Sequence, residues 1–244
     1  MYINLLSKVK REYKHTISGK VIYYDINNDI GRNLYLTGKF EESELKLCAE
    51  YLQQDSVVLD IGANIGLHSV FFSTITDSLI YSFEPSKKTF GKLIRNTESI
   101  DNILTFNFAL SNENQIVDFY EAKDNAYSSL KDTKRKAIES ISKVICLKLD
   151  DLFQLFNPSK IDFVKIDVEG FEQNVLEGMQ NIISKFKPVI YCEIYKGTDS
   201  NPDPLRTINF IKKFGYDVLV IRENKIADFD IHIDIFHNYF FIPK

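Results

Sequence analysis

The chain has 244 residues, 44% of them apolar and 26% charged, with 10 Gly and 6 Pro. This usage excludes a collagen-like, low-complexity or wholly disordered chain, and the length fits one large domain or one domain with an appendage. The net charge of −4 argues against a dedicated nucleic-acid binder, and no run of about 18 apolar residues predicts a membrane-spanning helix.

The charge is unevenly spread. Lys8, Lys10, Arg11, Lys14 and Lys20 face only Glu12 in the first 20 residues, a balance of +4 that leaves −8 on the rest. Such a start serves weak contact with a membrane surface or polyanion, or is simply solvated. It has no long apolar run ahead of a small-residue cleavage site, so no secretory leader is expected. A helix is expected in this region, then a β-like stretch at Val21–Tyr24 and an amphipathic helix carrying Leu45, Cys48 and Leu52.

From about residue 55, short apolar runs alternate with helical patterns. The runs are Val57–Ile61, Leu79–Phe83, Ile103–Phe108, Ile161–Ile166, Val189–Ile194 and Asp217–Ile221. Runs without polar alternation suit strands buried on both faces. The fold class predicted is α/β, a doubly wound, mostly parallel sheet with helices on both faces. One helix is expected to carry Phe171, Val175, Met179, Ile182, Ile183 and Phe186, and a later one Leu205, Ile208, Ile211 and Phe214. The last run, Asn238–Ile242, follows without a crossover helix and is expected to pair antiparallel. The polar segment Ala122–Lys143 interrupts two β-like runs, Ile116–Tyr120 and Val144–Leu147, and reads as a binding loop, a lid or a disordered surface loop. Cys48, Cys146 and Cys192 are far apart with no CxxC spacing, so they read as core hydrophobes of a reducing, cytoplasmic setting.

The first buried run ends in Asp60-Ile-Gly62-Ala-Asn64-Ile-Gly66, and a helix pattern with Leu67, Val70 and Phe71 follows. Strand, glycine turn and helix let a ligand approach the backbone closely. A dinucleotide fingerprint would need glycine where Asn64 and Leu67 stand, and no Walker lysine is present. An acidic Asp60 before a G-x-x-x-G turn suits a ligand with an ammonium group and no phosphate. The second run ends in Phe83-Glu84-Pro85, with Glu84 24 residues beyond Asp60. An acid about 20 positions on, at the tip of the second strand, hydrogen-bonds ribose hydroxyls in such sheets.

These motifs, with Lys165-Ile-Asp167-Val-Glu169-Gly170-Phe171-Glu172 and Val175-Leu-Glu-Gly178, resemble the FkbM family of S-adenosylmethionine-dependent methyltransferases over roughly residues 38–195. The resemblance implies a class I methyltransferase fold, Rossmann-like, with a seven-stranded sheet and one antiparallel strand near the carboxyl end. It implies S-adenosyl-L-methionine as cofactor and O-methylation of a sugar, glycan or natural-product hydroxyl. It divides the chain into an amino-terminal extension, 1–37, and a methyltransferase domain, 38–244. By the same resemblance Asp60, Gly62, Asn64 and Gly66 cradle the methionine part, Glu84 holds the ribose, and Asn107, Ala109 and Leu110 lie by the adenine.

Methyl transfer to oxygen needs in-line alignment and a base for the acceptor proton. Asp167 and Glu193 end neighbouring strands, and Glu169 and Glu172 follow Asp167 into the next helix, so several carboxylates are expected at one rim. Asp167, Glu169 and Glu193 are the catalytic candidates. Crowded carboxylates tune one another as bases or bind a divalent cation, and Glu169 and Glu172 also suit a helix amino terminus. His68 reads as a packed or surface residue, and His15, His232 and His237 lack ligand spacing, so no metal ligand set is inferred. Asp150 and Asp151 read as a helix cap. A nicotinamide dehydrogenase is the competing enzyme reading, disfavoured by Asn64 and Leu67. A methyltransferase-like scaffold without turnover is the non-enzymatic one. Acceptor determinants are sought in the first 40 residues, in Ala122–Lys143 and in Tyr127 and Tyr195.

Overall fold

Residues 12–194, 204–223, 225–230 and 238–244 are described in the computed structural model. Lys8, Lys10, Arg11, Tyr195, His232 and His237 lie outside them.

The described chain opens with a strand, and the residues ahead of it, where the helix expected before Val21 has most of its room, lie outside the described residues. In β1 (Glu12–Ile17), Tyr13, His15 and Ile17 alternate inward with a period of two. Ser18 and Gly19, both at positive φ, turn it into the antiparallel β2 (Lys20–Asp25). Two cations of the basic start are engaged there: Lys20 Nζ donates to Ser73 Oγ at 2.8 Å, and Lys14 Nζ lies 5.1 Å over the Tyr23 ring. Asn28 caps α1 (Asp29–Thr37) by accepting from Gly31 N, and α2 (Glu42–Ala49) is the amphipathic helix. Ile22, Tyr24 and Leu34 share one buried cluster with Leu45, Cys48, Val58 and Val70.

Next come β3 (Val58–Ile61), α3 (Leu67–Phe72), β4 (Ile80–Phe83), α4 (Lys87–Thr97) and β5 (Ile103–Phe106). A second, three-stranded sheet follows, ordered β6 (Ala109–Leu110), β8 (Ile138–Leu147), β7 (Gln115–Ala122). Of the polar insert expected at Ala122–Lys143, residues 123–137 form the excursion between β7 and β8, while 138–143 belong to β8 itself. After α5 (Leu149–Phe156) the central sheet resumes with β9 (Phe163–Ile166) and β10 (Val189–Glu193), then α8 (Pro204–Lys212), β11 (Tyr216–Arg222), β12 (Lys225–Asp228) and β13 (Asn238–Pro243). Its order is β12-β11-β13-β10-β9-β3-β4-β5, with β13 antiparallel to both neighbours.

Seven of these strands fall on the seven expected runs. The eighth, β12, adds antiparallel to the β11 edge. Its four residues are half or fully exposed, so no apolar run marks it. The helix expected from Phe171 to Phe186 is two: α6 (Glu172–Glu177) and α7 (Gln180–Phe186). It breaks at Gly178, where a Cβ would lie 2.0 Å from Ser111 O, so the second sheet's backbone fills that space. Asp150 caps, but not its own helix: its carboxylate accepts from Asn181 N and Ile182 N at the start of α7. Strand order reverses between β3 and β9, which places a ligand crevice beyond Ile61 and Ile166. Among the described residues no helix is long and apolar enough to cross a membrane.

Candidate active site

The glycine loop leaves β3 against the end of β9. At Gly62, φ is 79° and a Cβ would stand 1.8 Å from Asp167 O, so no side chain fits. Gly66, at φ 92°, begins α3 against Leu93, and Asn64 takes a left-handed φ of 50°. Asp60 lies beneath this loop at 0% exposure and accepts from Ser69 Oγ at 2.5 Å. Lys165 Nζ stands 3.4 Å from Asp60 Oδ1 and 3.4 Å from Asp167 Oδ2, and donates to Gly62 O at 2.9 Å. Burial opposes the lysine's charge, but Asp167, Asp60 and Glu41 hold it protonated, above its ordinary range. Lys165 received no role from sequence. The available signal was a lysine inside an otherwise apolar strand, Phe163-Val-Lys-Ile166, with an aspartate following it.

Above the loop opens a cleft of about 600 Å³, counted with the open solvent at its mouth. It brings together Gly62, Asn64, Glu84, Ala109, Asp167 and Glu169, with Leu110 also in its wall. Glu84 Oε2 accepts from Asn64 N at 3.1 Å and Oε1 from Ser86 N at 2.8 Å. Burial pushes its carboxyl up to about 7, against the pull of those two amides. Phe83, Pro85 and Phe108 make the apolar part of the cleft. Asp60, Gly66, Asn107 and Glu193 are not in its lining. Asn107 instead pins the turn after β4, its Nδ2 donating to Glu84 O at 2.9 Å and Pro85 O at 3.0 Å. Glu193 ends β10, where burial, then Asp167 and Glu169, push its carboxyl well up.

Glu169 holds a left-handed φ of 54°, a strained setting for a residue with a Cβ. Its carboxylate pairs with Arg135 and its carbonyl accepts from Ser129 Oγ at 2.8 Å. Burial and Asp167 raise its carboxyl, with Arg135 opposing. Behind it, buried Glu172 accepts from Gly170 N at 2.7 Å, while its Oε2 has no hydrogen-bond partner. Burial takes Glu172 to about 7. A raised acid favours the fold at low pH and loses that contribution as pH rises through its folded value. Glu172→Gln, always neutral, is expected to stabilise the protein by about 1–3 kcal/mol near pH 8 and much less near pH 5. Chemical unfolding at the two pH values checks this.

The insert supplies residues that sequence reasoning missed. Asn125 Nδ2 donates to Asn64 Oδ1 at 2.6 Å, and Asn28 Nδ2 donates to Asn125 Oδ1 at 2.9 Å. Asp29 N donates to Asp124 Oδ2 at 2.7 Å, and Tyr127 OH donates to Asp29 Oδ2 at 3.0 Å. The start of α1, the insert and the glycine loop are thereby joined over one side of the cleft. Tyr127, singled out from sequence, belongs to this network. His68 does not: it packs against Phe40 and Phe72, 3.2 Å from Glu41. Among the described residues no His, Cys, Asp and Glu group forms a metal cluster.

The donor set fits S-adenosylmethionine. The cleft offers acceptors for hydroxyl and ammonium groups in Glu84 and Asp167 and an apolar slot in Phe83, Pro85 and Phe108, with no lysine or arginine in its lining to hold a phosphate. Comparison with known proteins agrees. Over 192 residues the chain is 29% identical to the hexuronic acid methyltransferase AglP of Haloferax volcanii, spanning 78% of this chain and 76% of AglP. It is 27% identical over 154 residues to the 2-O-methyltransferase NoeI of Sinorhizobium fredii, spanning 57% of this chain and 63% of NoeI. The crystal structure of methyltransferase FkbM from Methylobacillus flagellatus superposes with a TM-score of 0.56 at 17% identity, over 86% of this chain and 52% of that one, a likeness of fold. Residues 60–218 match the methyltransferase FkbM domain, the stretch that runs from Asp60 beneath the glycine loop to Val218 in β11. The chain therefore belongs to the FkbM family of S-adenosylmethionine-dependent methyltransferases.

Proposed function

We propose that the protein methylates a hydroxyl oxygen of a sugar or glycan. The observation that carries this reading is the joining of the Glu84 end of the cleft to a carboxylate rim, Asp167 and Glu169, in one lining. The names of two relatives, a hexuronic acid methyltransferase and a 2-O-methyltransferase, support a carbohydrate acceptor. Bound in the cleft, S-adenosylmethionine supplies a methyl on positive sulfur; the acceptor oxygen bonds it, the carbon–sulfur electron pair stays on sulfur, and the acceptor proton goes to a base.

The chain's own residues divide that work. Gly62 and Asn64 present backbone and amide to the methionine part. Asp60 and Gly66 act from beneath, one by holding Lys165 and the other by starting α3. Glu84 accepts from the ribose hydroxyls, and Ala109 and Leu110 wall the adenine, with Asn107 fixing the turn beside them. Glu169 takes the acceptor proton, a role that contributes about 10²–10⁴-fold in rate. Asp167 and Glu193 set the negative field around it. Residues 38–244 are the methyltransferase domain in this reading, and residues up to 37 an extension, whose described part from residue 12 packs on it. A reducing, cytoplasmic setting is part of the same reading, supported by three buried free thiols, Cys48, Cys146 and Cys192.

Cofactor affinity tests the reading. Glu84 must be ionised to accept two ribose hydroxyls. Affinity measured by calorimetry is therefore expected to fall as pH drops below about 7, by up to about tenfold per unit. Glu84→Gln should weaken binding and flatten that dependence. Undiminished binding by Glu84→Gln would overturn the ribose assignment.

A further inference from the structure

We propose that Arg135 recognises an anionic group on the acceptor, a uronate carboxylate or a phosphate, and that its capture releases Glu169 to act on the acceptor hydroxyl. This rests on the methyl-transfer reading above.

Glu169 faces two demands that conflict. A base must be open to the acceptor, yet its carboxylate is paired with the Arg135 guanidinium at the edge of the cleft. The pair is not sealed: the side chains are 22% and 15% exposed. Nor does Glu169 alone hold the arginine. The guanidinium lies 4.5 Å over the Tyr127 ring, and that ring is anchored by its hydroxyl to Asp29. Lys136 reaches the same aspartate at 3.2 Å and lies 4.9 Å over the ring. Arg135 is therefore placed by the insert and the start of α1, and remains placed when its partner changes.

Glu169, for its part, is aimed from the other side. Its left-handed backbone and the Ser129 contact at its carbonyl hold it toward the insert. A carboxylate or phosphate offers the guanidinium fork what Glu169 offers it, so the two compete for one site. Lys131, 5.4 Å over Phe171 on the same insert, adds positive potential where an anion would arrive. Glu169 thus occupies the place of the acceptor's own charge. A neutral sugar leaves the ion pair intact and the base occupied. An anionic one takes Arg135, and Glu169 swings free. The hydroxyl proton then passes to Glu169 as its oxygen bonds the methyl and the carbon–sulfur pair remains on sulfur. Arg135 is in this account a specificity-determining residue, and the anion it binds is a handle rather than the methylated atom.

The test is calorimetric titration of protein loaded with S-adenosylhomocysteine. Three probes are compared: methyl glucoside, methyl glucuronoside and glucose 6-phosphate. At least one anionic probe is expected to bind about tenfold tighter than methyl glucoside, and whichever does so names the anion. Arg135→Gln should abolish the difference, and Arg135→Lys should restore part of it. Glu169→Gln should bind the anionic probe severalfold tighter, because the competing carboxylate is gone. Asp118→Asn, which removes a surface charge on β7, should shift it less than about twofold. Equal binding of neutral and anionic probes, or weaker anion binding by Glu169→Gln, overturns the inference. If S-adenosylhomocysteine itself fails to bind, the methyl-transfer reading falls with it. If it binds and the sugars are not told apart by charge, only this inference falls.

Discussion

Replacing Lys165 with methionine is expected to lower stability by about 3–5 kcal/mol, the range for breaking a buried ion pair by removing one partner. The cause is what the substitution leaves behind. Asp60 has no exposed surface, and its remaining partner is the Ser69 hydroxyl. Asp167 loses the same cation, and Gly62 loses the ammonium at its carbonyl, so the glycine loop loosens where it meets β9. A methionine fills much of the volume but satisfies none of these groups. The second variant separates charge from packing. Adding Asp60→Asn to Lys165→Met removes the stranded carboxylate and should recover at least half of the loss, a coupling that independent sites would not show. Urea unfolding of the two single variants and the double reads this directly. Additive losses would mean that the lysine matters for volume rather than charge.

The second large effect is catalytic. Glu169→Gln is expected to lower kcat by about 10²–10⁴ while leaving cofactor affinity within about threefold. Glutamine keeps the shape and loses the proton acceptor. The pH profile supplies the sign. Burial and Asp167 raise the Glu169 carboxyl, and only its deprotonated form accepts a proton. The rate should therefore fall as pH drops through a value above the ordinary glutamate range, and the glutamine variant should show no such limb. An undiminished kcat would move the base to Asp167, the other carboxylate of the rim.

The parts of this molecule legible in sequence are those whose environment is uniform. β3, β4 and β9 are buried on both faces, so each reads as a short apolar run broken by one polar residue, Asp60, Ser82 or Lys165. Asn238–Ile242 could be placed antiparallel because no crossover helix precedes it. What stayed hidden depends on contacts between distant segments. The α6–α7 break needs Gly178 against Ser111, and β1 and β12 are half-exposed strands with no apolar run.

The site divides in the same way. Gly62, Asn64, Glu84, Asp167 and Glu169 sit at strand ends beside the crevice, and strand ends can be read from sequence. Asp60 is the instructive departure. Its position at the end of β3 suggested a direct ligand contact, yet it lies under the loop, engaged by Lys165 of the neighbouring strand β9, with β4 to β8 between them in sequence. The amide chain Asn28–Asn125–Asn64 joins residues 97 and 61 positions apart, which no local pattern announces. Arg135 lies in the polar segment Ala122–Lys143 with no motif around it, and only the fold sets it against Glu169.

Methyl transfer itself is the most direct test. The protein is incubated with S-adenosylmethionine carrying an isotope-labelled methyl and a panel of neutral, uronate and phosphorylated sugars, and products are read by mass spectrometry before and after mild alkaline hydrolysis. The expected result is one labelled methyl on a sugar, retained through alkali as an ether. Label lost to alkali would mark an ester and contradict hydroxyl methylation. A protein that binds S-adenosylmethionine yet labels no sugar would contradict the proposed carbohydrate acceptor.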